Sequence, residues 1–406
     1  MQGYSANYGD YGEAHSVKYG YFDHFRVHFR EMHVPRVYEK LNEHMRPGKV
    51  LVLSGPRQVG KTTLVRRHLA LTQARSLYVP GDDVRVQEAW GSMRLDRLEE
   101  LIEGYDVVAL DEAQRIPNIG VSLKLLIDAG VHTQLIATGS SSFELAGQLG
   151  EPLTGRQVSL RMYPVAQLEL RELRNRGELR SRVEEHLIYG SYPEVVTATS
   201  MFEKRRVLDQ IVGSYLLKDV LELERVKSPK VLLDLLRLIA FQVGSEVSLA
   251  ELGGQLGLDS KTVARYLDLL EKGYVLFNVR GYSRNLRKEI TKKSKYYFYD
   301  TGVRNAVIAN FNPVNLRDDV GRLWENFLFV ERLKLLTYRF VPVNHYFWRT
   351  WDGQEIDMVE ERGGRQDGYE FKWGGRMPKP PRDWSATYPD ATHTVINREN
   401  WLEFVL

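Results

Sequence analysis

Cysteine is absent from the 406 residues. That excludes a disulfide framework, thiolate-bound zinc, iron–sulfur clusters and thiol catalysis, so the chemistry must come from oxygen, nitrogen and backbone groups. Proline is scarce as well, at 15 against 33 glycines. With 43% hydrophobic and 27% charged residues, the composition is that of a folded globular chain and not of a collagen-like or low-complexity one. No window approaches about 18 consecutive apolar residues, and the polar start MQGYSANYGDYGEAHS lacks the apolar core of a secretory signal. The expectation is a cytoplasmic protein with no membrane partner. An excess of one charge is also lacking: 56 basic and 53 acidic residues leave +3. Only local clustering can therefore argue for a nucleic-acid partner.

At roughly 100–200 residues per domain, this length predicts two to four domains. Residues 1–34 are rich in Gly, Tyr and His without a helical or strand period, and read as an extension with no assigned role. Three short apolar runs follow, Lys49–Leu53, Val107–Leu110 and Gln134–Thr138, each of the kind that fills a strand covered on both faces. Helical patterns at Thr62–Leu71, Leu95–Glu103 and Ile119–Ala129 separate them. This alternation predicts an α/β fold with a parallel sheet over residues 35–164. Residues 165–226 show helical periodicity with a charged outer face and read as a lid or connector.

Residues 227–310 carry helical patterns at Pro229–Val243, Leu249–Leu256 and Ser260–Lys272, then strand patterns at Tyr274–Val279 and Lys295–Tyr299. The second and third helices, joined by a Gly-containing turn with Ser260 as the expected N-cap, form a helix-turn-helix, and the strands make it a winged helix. Over 311–406, a helix at Arg322–Leu336 and strands at Tyr346–Thr350, Glu355–Glu360 and Gly368–Trp373 predict a further α/β domain.

Gly55-Pro56-Arg57-Gln58-Val59-Gly60-Lys61-Thr62-Thr63 satisfies G-x-x-x-x-G-K-[ST] between a predicted strand and a predicted helix, the context this phosphate-binding loop requires. Its glycines let backbone N–H groups converge on phosphates and the helix N-terminus adds positive potential. Lys61 reaches the β and γ phosphates, and the Thr62 hydroxyl ligates Mg²⁺. ATP and Mg²⁺ are the expected cofactors. The run Val107–Leu110 ends in Asp111-Glu112, which places Asp111 to hold the ion and Glu112 to orient or deprotonate the attacking water. The third strand closes in Thr138-Gly139-Ser140-Ser141, where Ser140 is expected to sense the γ-phosphate or the water; a simple turn is the other reading.

Taken in order, Ser54–Thr63, Leu110–Gln114, Ala137–Ser141, Leu153-Thr-Gly-Arg156 and Tyr163-Pro164 resemble the AAA+ ATPase domain of the AAA-14 type, fused to a domain of unknown function numbered 4143, over residues 35–406. The resemblance implies that Arg156 is an arginine finger, with an exposed structural arginine as the alternative. It also implies that Pro193, in Gly190-Ser-Tyr-Pro193, lies near the adenine. Here Ser191 replaces the second glycine of the family's element.

Two further constellations bear on substrate. Arg280, Arg284, Arg287, Lys288, Lys292, Lys293 and Lys295 face one acid, Glu289, in the stretch after the helix-turn-helix, interleaved with tyrosines. These suit phosphate contacts, while Lys261, Thr262 and Arg265 on the preceding helix suit a groove; a solvated charged face is the bland alternative. At the C-terminal end, Asp357, Glu370 and Lys372, with Glu325 on the helix, resemble the PD-(D/E)xK nuclease pattern. In that pattern Asp357 and Glu370 bind metal, while Glu370 and Lys372 share a strand face as i and i+2. The alternative is a nuclease-like fold used for docking.

The leading expectation is an ATP-hydrolysing AAA+ protein acting on DNA, branched or junction DNA included. A nucleotide-regulated, metal-dependent nuclease and a STAND-like signalling switch with a protein partner are the alternatives. Self-association is expected, a hexameric ring being one form it takes.

Overall fold

The computed structural model describes residues 34–140, 152–216, 229–282, 294–375 and 377–406. Its first layer is the expected parallel sheet. Strands β1 (Val50–Ser54), β2 (Ser76–Pro80), β3 (Val107–Asp111), β4 (Gln134–Gly139) and β5 (Gln157–Arg161) stand in the order β2-β3-β4-β1-β5, and every neighbouring pair is parallel. Helices α1 (Lys61–Leu71), α2 (Val84–Trp90), α3 (Leu95–Ile102) and α4 (Ile119–Asp128) make the crossovers. The three central strands are those whose apolar runs predicted them: β1 and β3 are buried at every residue. The flanking strands β2 and β5 are only partly covered and carry polar residues, so no continuous apolar run announced them.

Helices α5 (Gln167–Leu170), α6 (Arg176–Ser181), α7 (Val183–Tyr189), α8 (Pro193–Thr197) and α9 (Met201–Gln210) form the connector. Capping boxes start two of them, at Asn175 with Glu178 and at Ser200 with Glu203. Helix α10 (Pro229–Phe241), β6 (Glu246–Val247), α11 (Leu249–Leu256), α12 (Ser260–Lys272), β7 (Leu276–Gly281) and β8 (Ser294–Phe298) follow in the element order of a winged helix. The N-cap of α12 is Asp259, not Ser260: its carboxylate accepts the Lys261 and Thr262 N–H groups, both at 2.9 Å. A carboxylate at a helix N-terminus also meets the positive end of the helix dipole, which a serine hydroxyl does not match.

Helix α13 (Thr301–Val307) leads to the long α14 (Val320–Tyr338), and β9 (Asn344–Arg349), β10 (Glu355–Arg362), β11 (Arg365–Phe371), α15 (Arg382–Thr387), β12 (Thr392–Ile396) and α16 (Trp401–Val405) complete the chain. The boundary drawn at residue 310 is crossed by hydrogen bonding. Strands from both sides form one seven-stranded sheet, β12-β11-β10-β9-β7-β8-β6, joined where β7 runs parallel to β9 at Arg280↔Tyr346 and Gly281↔Phe347.

Helix α14 is buried nearly all round, with Leu323, Trp324, Phe327, Leu328 and Phe329 at 4% exposure or less. A helix apolar on every side belongs inside a protein. Its polar groups are used as fasteners. Asn326 exchanges both amide hydrogen bonds with Phe298 of β8, at 2.9 and 2.8 Å. One turn and more further on, Glu331 accepts the Gln167 N–H at 2.7 Å and Lys334 donates to the Val165 carbonyl at 3.3 Å.

Two glycines in this body should respond oppositely to alanine. At Gly302 a Cβ would lie 2.1 Å from the Tyr189 carbonyl oxygen, so Gly302→Ala must push α13 off α7. We expect a loss of about 1–3 kcal/mol, the usual scale of overpacking. Gly254, exposed inside α11 with nothing within 4 Å of a Cβ, should gain about 0.5–1 kcal/mol as alanine. Thermal denaturation of the two variants reads both signs.

Candidate nucleotide site

Strand β1 delivers Ser54 to the sheet edge, and Gly55–Gly60 wraps from there into the first turn of α1. The wrap depends on positive φ at Gly55 (+147°), Gln58 (+61°) and Gly60 (+94°). Gly55 has a second reason: a Cβ there would sit 2.1 Å from the Met162 carbonyl oxygen. Pro56 and Val59 are buried, Arg57 is half-buried, and Gln58 and Thr63 are exposed. Lys61 is 5% exposed and its Nζ lies across the loop, donating to the Gly55 and Pro56 carbonyls at 2.7 and 2.8 Å.

Asp111 ends β3 opposite Thr62. The Thr62 hydroxyl donates to its carboxylate at 2.8 Å, and the Tyr78 and Thr138 hydroxyls donate to it as well. A hydroxyl and a carboxylate brought together beside a phosphate loop fit Mg²⁺, whose remaining ligands come from phosphate and water. Glu112 follows in the left-handed region at φ +51°. Its N–H donates to Thr138 Oγ1 at 3.1 Å and its carboxylate accepts from Gln114 Nε2 at 2.6 Å; the same amide reaches Ser140 Oγ at 3.3 Å. Ser140 is thus linked to Glu112 through Gln114, whereas Thr138 touches the Asp111 carboxylate and the Glu112 backbone N–H directly.

Three residues of this site escaped the sequence reading. Thr138 carried a usable signal, since it closes an apolar run just as Asp111 does. Tyr78 on an edge strand and Arg36 before the sheet carried none. Arg36 is 8% exposed; its guanidinium donates to Glu169 at 2.9 Å, to the Tyr163 carbonyl at 2.6 Å, to the Tyr338 hydroxyl at 3.4 Å and to the Val59 carbonyl of the phosphate loop. Burial works against this charge, and the Glu169 carboxylate outweighs it and raises the Arg36 pKa.

Beside the loop, Pro56, Arg57 and Gln58 face Tyr192, Gly273, Tyr274, Tyr299 and Asp300 across a cleft of about 30 Å³, room for about one water. The Gly190-Ser-Tyr-Pro element forms one wall. Gly190 has φ +70°, and a Cβ there would be 2.0 Å from Asp300 Oδ1. Ser191 is compatible with the bend: its N–H donates to Asp300 at 2.7 Å and its hydroxyl meets His186 Nδ1 at 3.3 Å. Tyr192 lines the cleft, and Pro193 follows as the first residue of α8. Burial pushes the Asp300 carboxyl up to about 6. It also pulls the His186 imidazole down to about 4, with the Arg174 cation behind it.

Arg156 is at the other end of the sheet. It precedes β5, which pairs Gln157 with Val50, while the phosphate loop leaves β1 after Ser54. Four strand residues, about 13 Å, separate the two ends. Its guanidinium pairs with Asp128 at 2.6 Å. Arg156 therefore does not reach its own chain's loop.

On α12, Lys261 and Arg265 are exposed. Arg284, Arg287, Lys288, Lys292 and Lys293 lie outside the described residues. Lys295 corrects the expectation of a DNA contact: it is 3% exposed and pairs with Glu325 at 3.6 Å. Strand alternation turns it inward, away from any phosphate backbone.

Glu325, Asp357, Glu370 and Lys372 do gather in one buried cluster. The Lys372 ammonium lies 2.5 Å from Glu370, Asp357 accepts the Phe371 N–H at 2.7 Å, and Glu325 accepts the Tyr297 hydroxyl at 2.6 Å. Burial, with Glu325 and Glu370 adding to it, pushes the Asp357 carboxyl well above the ordinary range. Burial also raises Glu325, against the pull of Lys295. Lys372 pairs with Glu370 and Lys295 with Glu325, and among the described residues no three His, Asp or Glu side chains group to hold a metal ion.

His186 gives a pH test. In the folded protein it takes a proton only near pH 4, in the unfolded chain near 6.5. Between those values the unfolded state binds more protons, so this group's contribution to stability falls as pH falls. Against His186→Gln, the wild type should lose relative stability from about pH 6.5 to 4; parallel melting-temperature profiles of the two proteins would refute this.

Residues 47–171 match the AAA domain family model, 180–314 a domain of unknown function (DUF8612) and 320–396 a domain of unknown function (DUF4143). An uncharacterized protein of Mycobacterium tuberculosis is 29% identical over 338 residues, covering 82% of this chain and 72% of the relative. Uncharacterized proteins of Haemophilus influenzae (25% identical, 70% of this chain and 74% of the relative) and Methanocaldococcus jannaschii (23%, 77% and 72%) are similar too. Among solved structures, a Signal Transduction ATPase with Numerous Domains protein with a tetratricopeptide repeat sensor from Pyrococcus horikoshii aligns at a TM-score of 0.29 and 11% identity. That alignment covers 76% of this chain and 47% of the other. With the loop and its acids in place on a parallel sheet, the chain carries an AAA domain at residues 47–171 and a DUF4143 domain at residues 320–396.

Proposed function

We propose that the protein is an ATP-hydrolysing switch that acts on DNA. One observation carries the switch. The cleft beside the phosphate loop is walled by Gly273, Tyr274 and Val275, which join α12 to β7, and by Tyr299 and Asp300, which follow β8. A nucleotide at the loop would lie against these residues, so that binding and hydrolysis act on the position of the winged-helix unit.

In the ATP-bound state Lys61 leaves the Gly55 and Pro56 carbonyls for the β and γ phosphates. Thr62 and Asp111 would hold Mg²⁺, which neutralises phosphate charge when bound. Glu112, steadied by Gln114, aligns a water with the γ-phosphate, and Thr138 ties Glu112 to Asp111 so that both respond to the loop together. Arg156 cannot serve its own site at about 13 Å along the strand, so its finger role is in trans, between copies of the chain.

Exposed Lys261 and Arg265 on α12, with the basic stretch after β7, support DNA as the substrate. A protein partner would use the same switch, and DNA-stimulated ATP turnover separates the two. The nuclease reading has less behind it: among the described residues no three His, Asp or Glu side chains group to hold a metal ion. Its test is incubation of linear and four-way DNA with Mn²⁺ or Mg²⁺, where we expect no cutting. No described helix is long and apolar enough to cross a membrane.

Lys61→Ala should abolish nucleotide binding, whereas Glu112→Gln should bind ATP and fail to turn it over, because the amide keeps the volume and loses the base. Wild-type turnover should rise with added DNA, four-way DNA included, and fall in Lys261→Glu/Arg265→Glu. Turnover indifferent to every DNA would transfer the switch to a protein partner, and full activity in Lys61→Ala would end the ATPase reading. Arg156→Ala should lower turnover in the assembled protein, by up to about 10³-fold if it is the finger.

A further inference from the structure

Arg36 is a buried cation that the chemistry above does not use. Its four partners come from four separate places: Val59 in the phosphate loop, Tyr163 after β5, Glu169 in α5 and Tyr338 at the end of α14. Glu169 is itself fully committed. Besides Arg36 it accepts the Val37 N–H at 2.9 Å and the Ala166 N–H at 2.8 Å, which fixes the guanidinium between two backbone segments. The Tyr338 hydroxyl also accepts the Tyr163 N–H at 3.1 Å.

The contact with Val59 has a geometric consequence. In a planar trans peptide the C=O and the N–H point in opposite directions. Pinning the Val59 carbonyl outward onto Arg36 therefore aims the Gly60 N–H inward, to the side on which a phosphate loop binds its anion. Gly60 has φ +94° and opens α1, so nothing in its own side chain holds that peptide plane. A charged donor on the carbonyl also polarises the peptide and strengthens the N–H as a donor.

We propose that Arg36 is a positioning residue for the phosphate loop, that it sets nucleotide affinity by fixing the Val59–Gly60 peptide, and that Tyr338 on the C-terminal helix acts on the same affinity through Arg36. The proposal rests on the ATPase reading. It adds a route by which the C-terminal sheet and the nucleotide influence each other. Tyr338 ends α14 and Glu325 lies in its second turn, about 20 Å apart at 1.5 Å per residue.

The test uses the full chain and variants that keep the interior filled. Arg36→Ala would leave Glu169 uncompensated in the core, so Arg36→Lys, Tyr338→Phe and the double variant are compared with wild type. Binding of a fluorescent ADP with Mg²⁺ and the kcat and KM for ATP are measured together with melting temperature. A lysine keeps the charge and loses the fork that spans Val59, Tyr163 and Glu169. We expect its nucleotide Kd and KM to rise roughly 10-fold, the worth of one charge-assisted hydrogen bond, with kcat unchanged. Tyr338→Phe should raise both about 2- to 3-fold by the same reasoning, and the double variant should be no weaker than Arg36→Lys alone.

A purely structural Arg36 gives another pattern: a lower melting temperature and a lower kcat from a smaller active fraction, at unchanged Kd and KM. That pattern, or strictly additive effects of the two substitutions on Kd, overturns the proposal. If wild type itself binds no nucleotide, the ATPase reading fails and takes this one with it. That outcome is distinct, because it appears before any variant is made.

Discussion

A guanidinium removed from water must be met by acceptors on every side, because an unanswered buried charge costs several kcal/mol. Arg36 is in that position, and its acceptors are a phosphate-loop carbonyl, a carbonyl after the last strand of the parallel sheet, a carboxylate of the connector and a hydroxyl of the C-terminal helix. None of these can move far without leaving the charge exposed to apolar surroundings. The constraint ties four stretches of chain to the segment of Arg36, the farthest of them 302 residues away in sequence. It also explains why a short irregular segment ahead of the sheet is buried at Val34, Arg36 and Tyr38.

Helix α14 carries those ties through the molecule. Its apolar residues are covered on all sides, and its few polar ones bond to other elements: Tyr338 and Lys334 to the segment after β5, Glu331 to the start of α5, Asn326 to β8 and Glu325 to Tyr297. The seven-stranded sheet adds a second connection, since the wing strand β7 pairs directly with β9. The unit from α10 to β8 and the C-terminal unit thus share a sheet and are fastened by the same helix. No separate linker stands between them.

The lysine-filled carboxylate cluster belongs to the same frame. Lys295 reaches it from β8 of the wing, Glu325 from α14, and Asp357, Glu370 and Lys372 from the C-terminal strands. Burial opposes the Lys295 ammonium, and Glu325, Asp357 and Glu355 hold its pKa above the ordinary value. Ion pairs of this kind cost desolvation on both sides and make the contact specific more than strong. Here they join β8 to α14 through Lys295 and Glu325.

What could be read from the sequence was local. Gly55–Thr63 and Asp111-Glu112 were legible because backbone turns, a lysine and a strand-end acid must follow one another at fixed spacing to face a phosphate. The strands β1, β3 and β4 were legible because burial on both faces leaves a continuous apolar run. Sharing a strand face likewise foretold that Glu370 and Lys372 would meet. Tertiary structure alone decided the rest. Lys295 sits in a basic run that looks like a surface, and only the pairing of β8 turned it inward to Glu325. Nor did the carboxylate pattern disclose that a second lysine, about sixty positions upstream of Asp357, would join the cluster beside Glu325. Arg36, Tyr78 and Tyr338 carry no pattern at all: their roles arise from long-range packing, which brings lone donors to acceptors that no local spacing specifies.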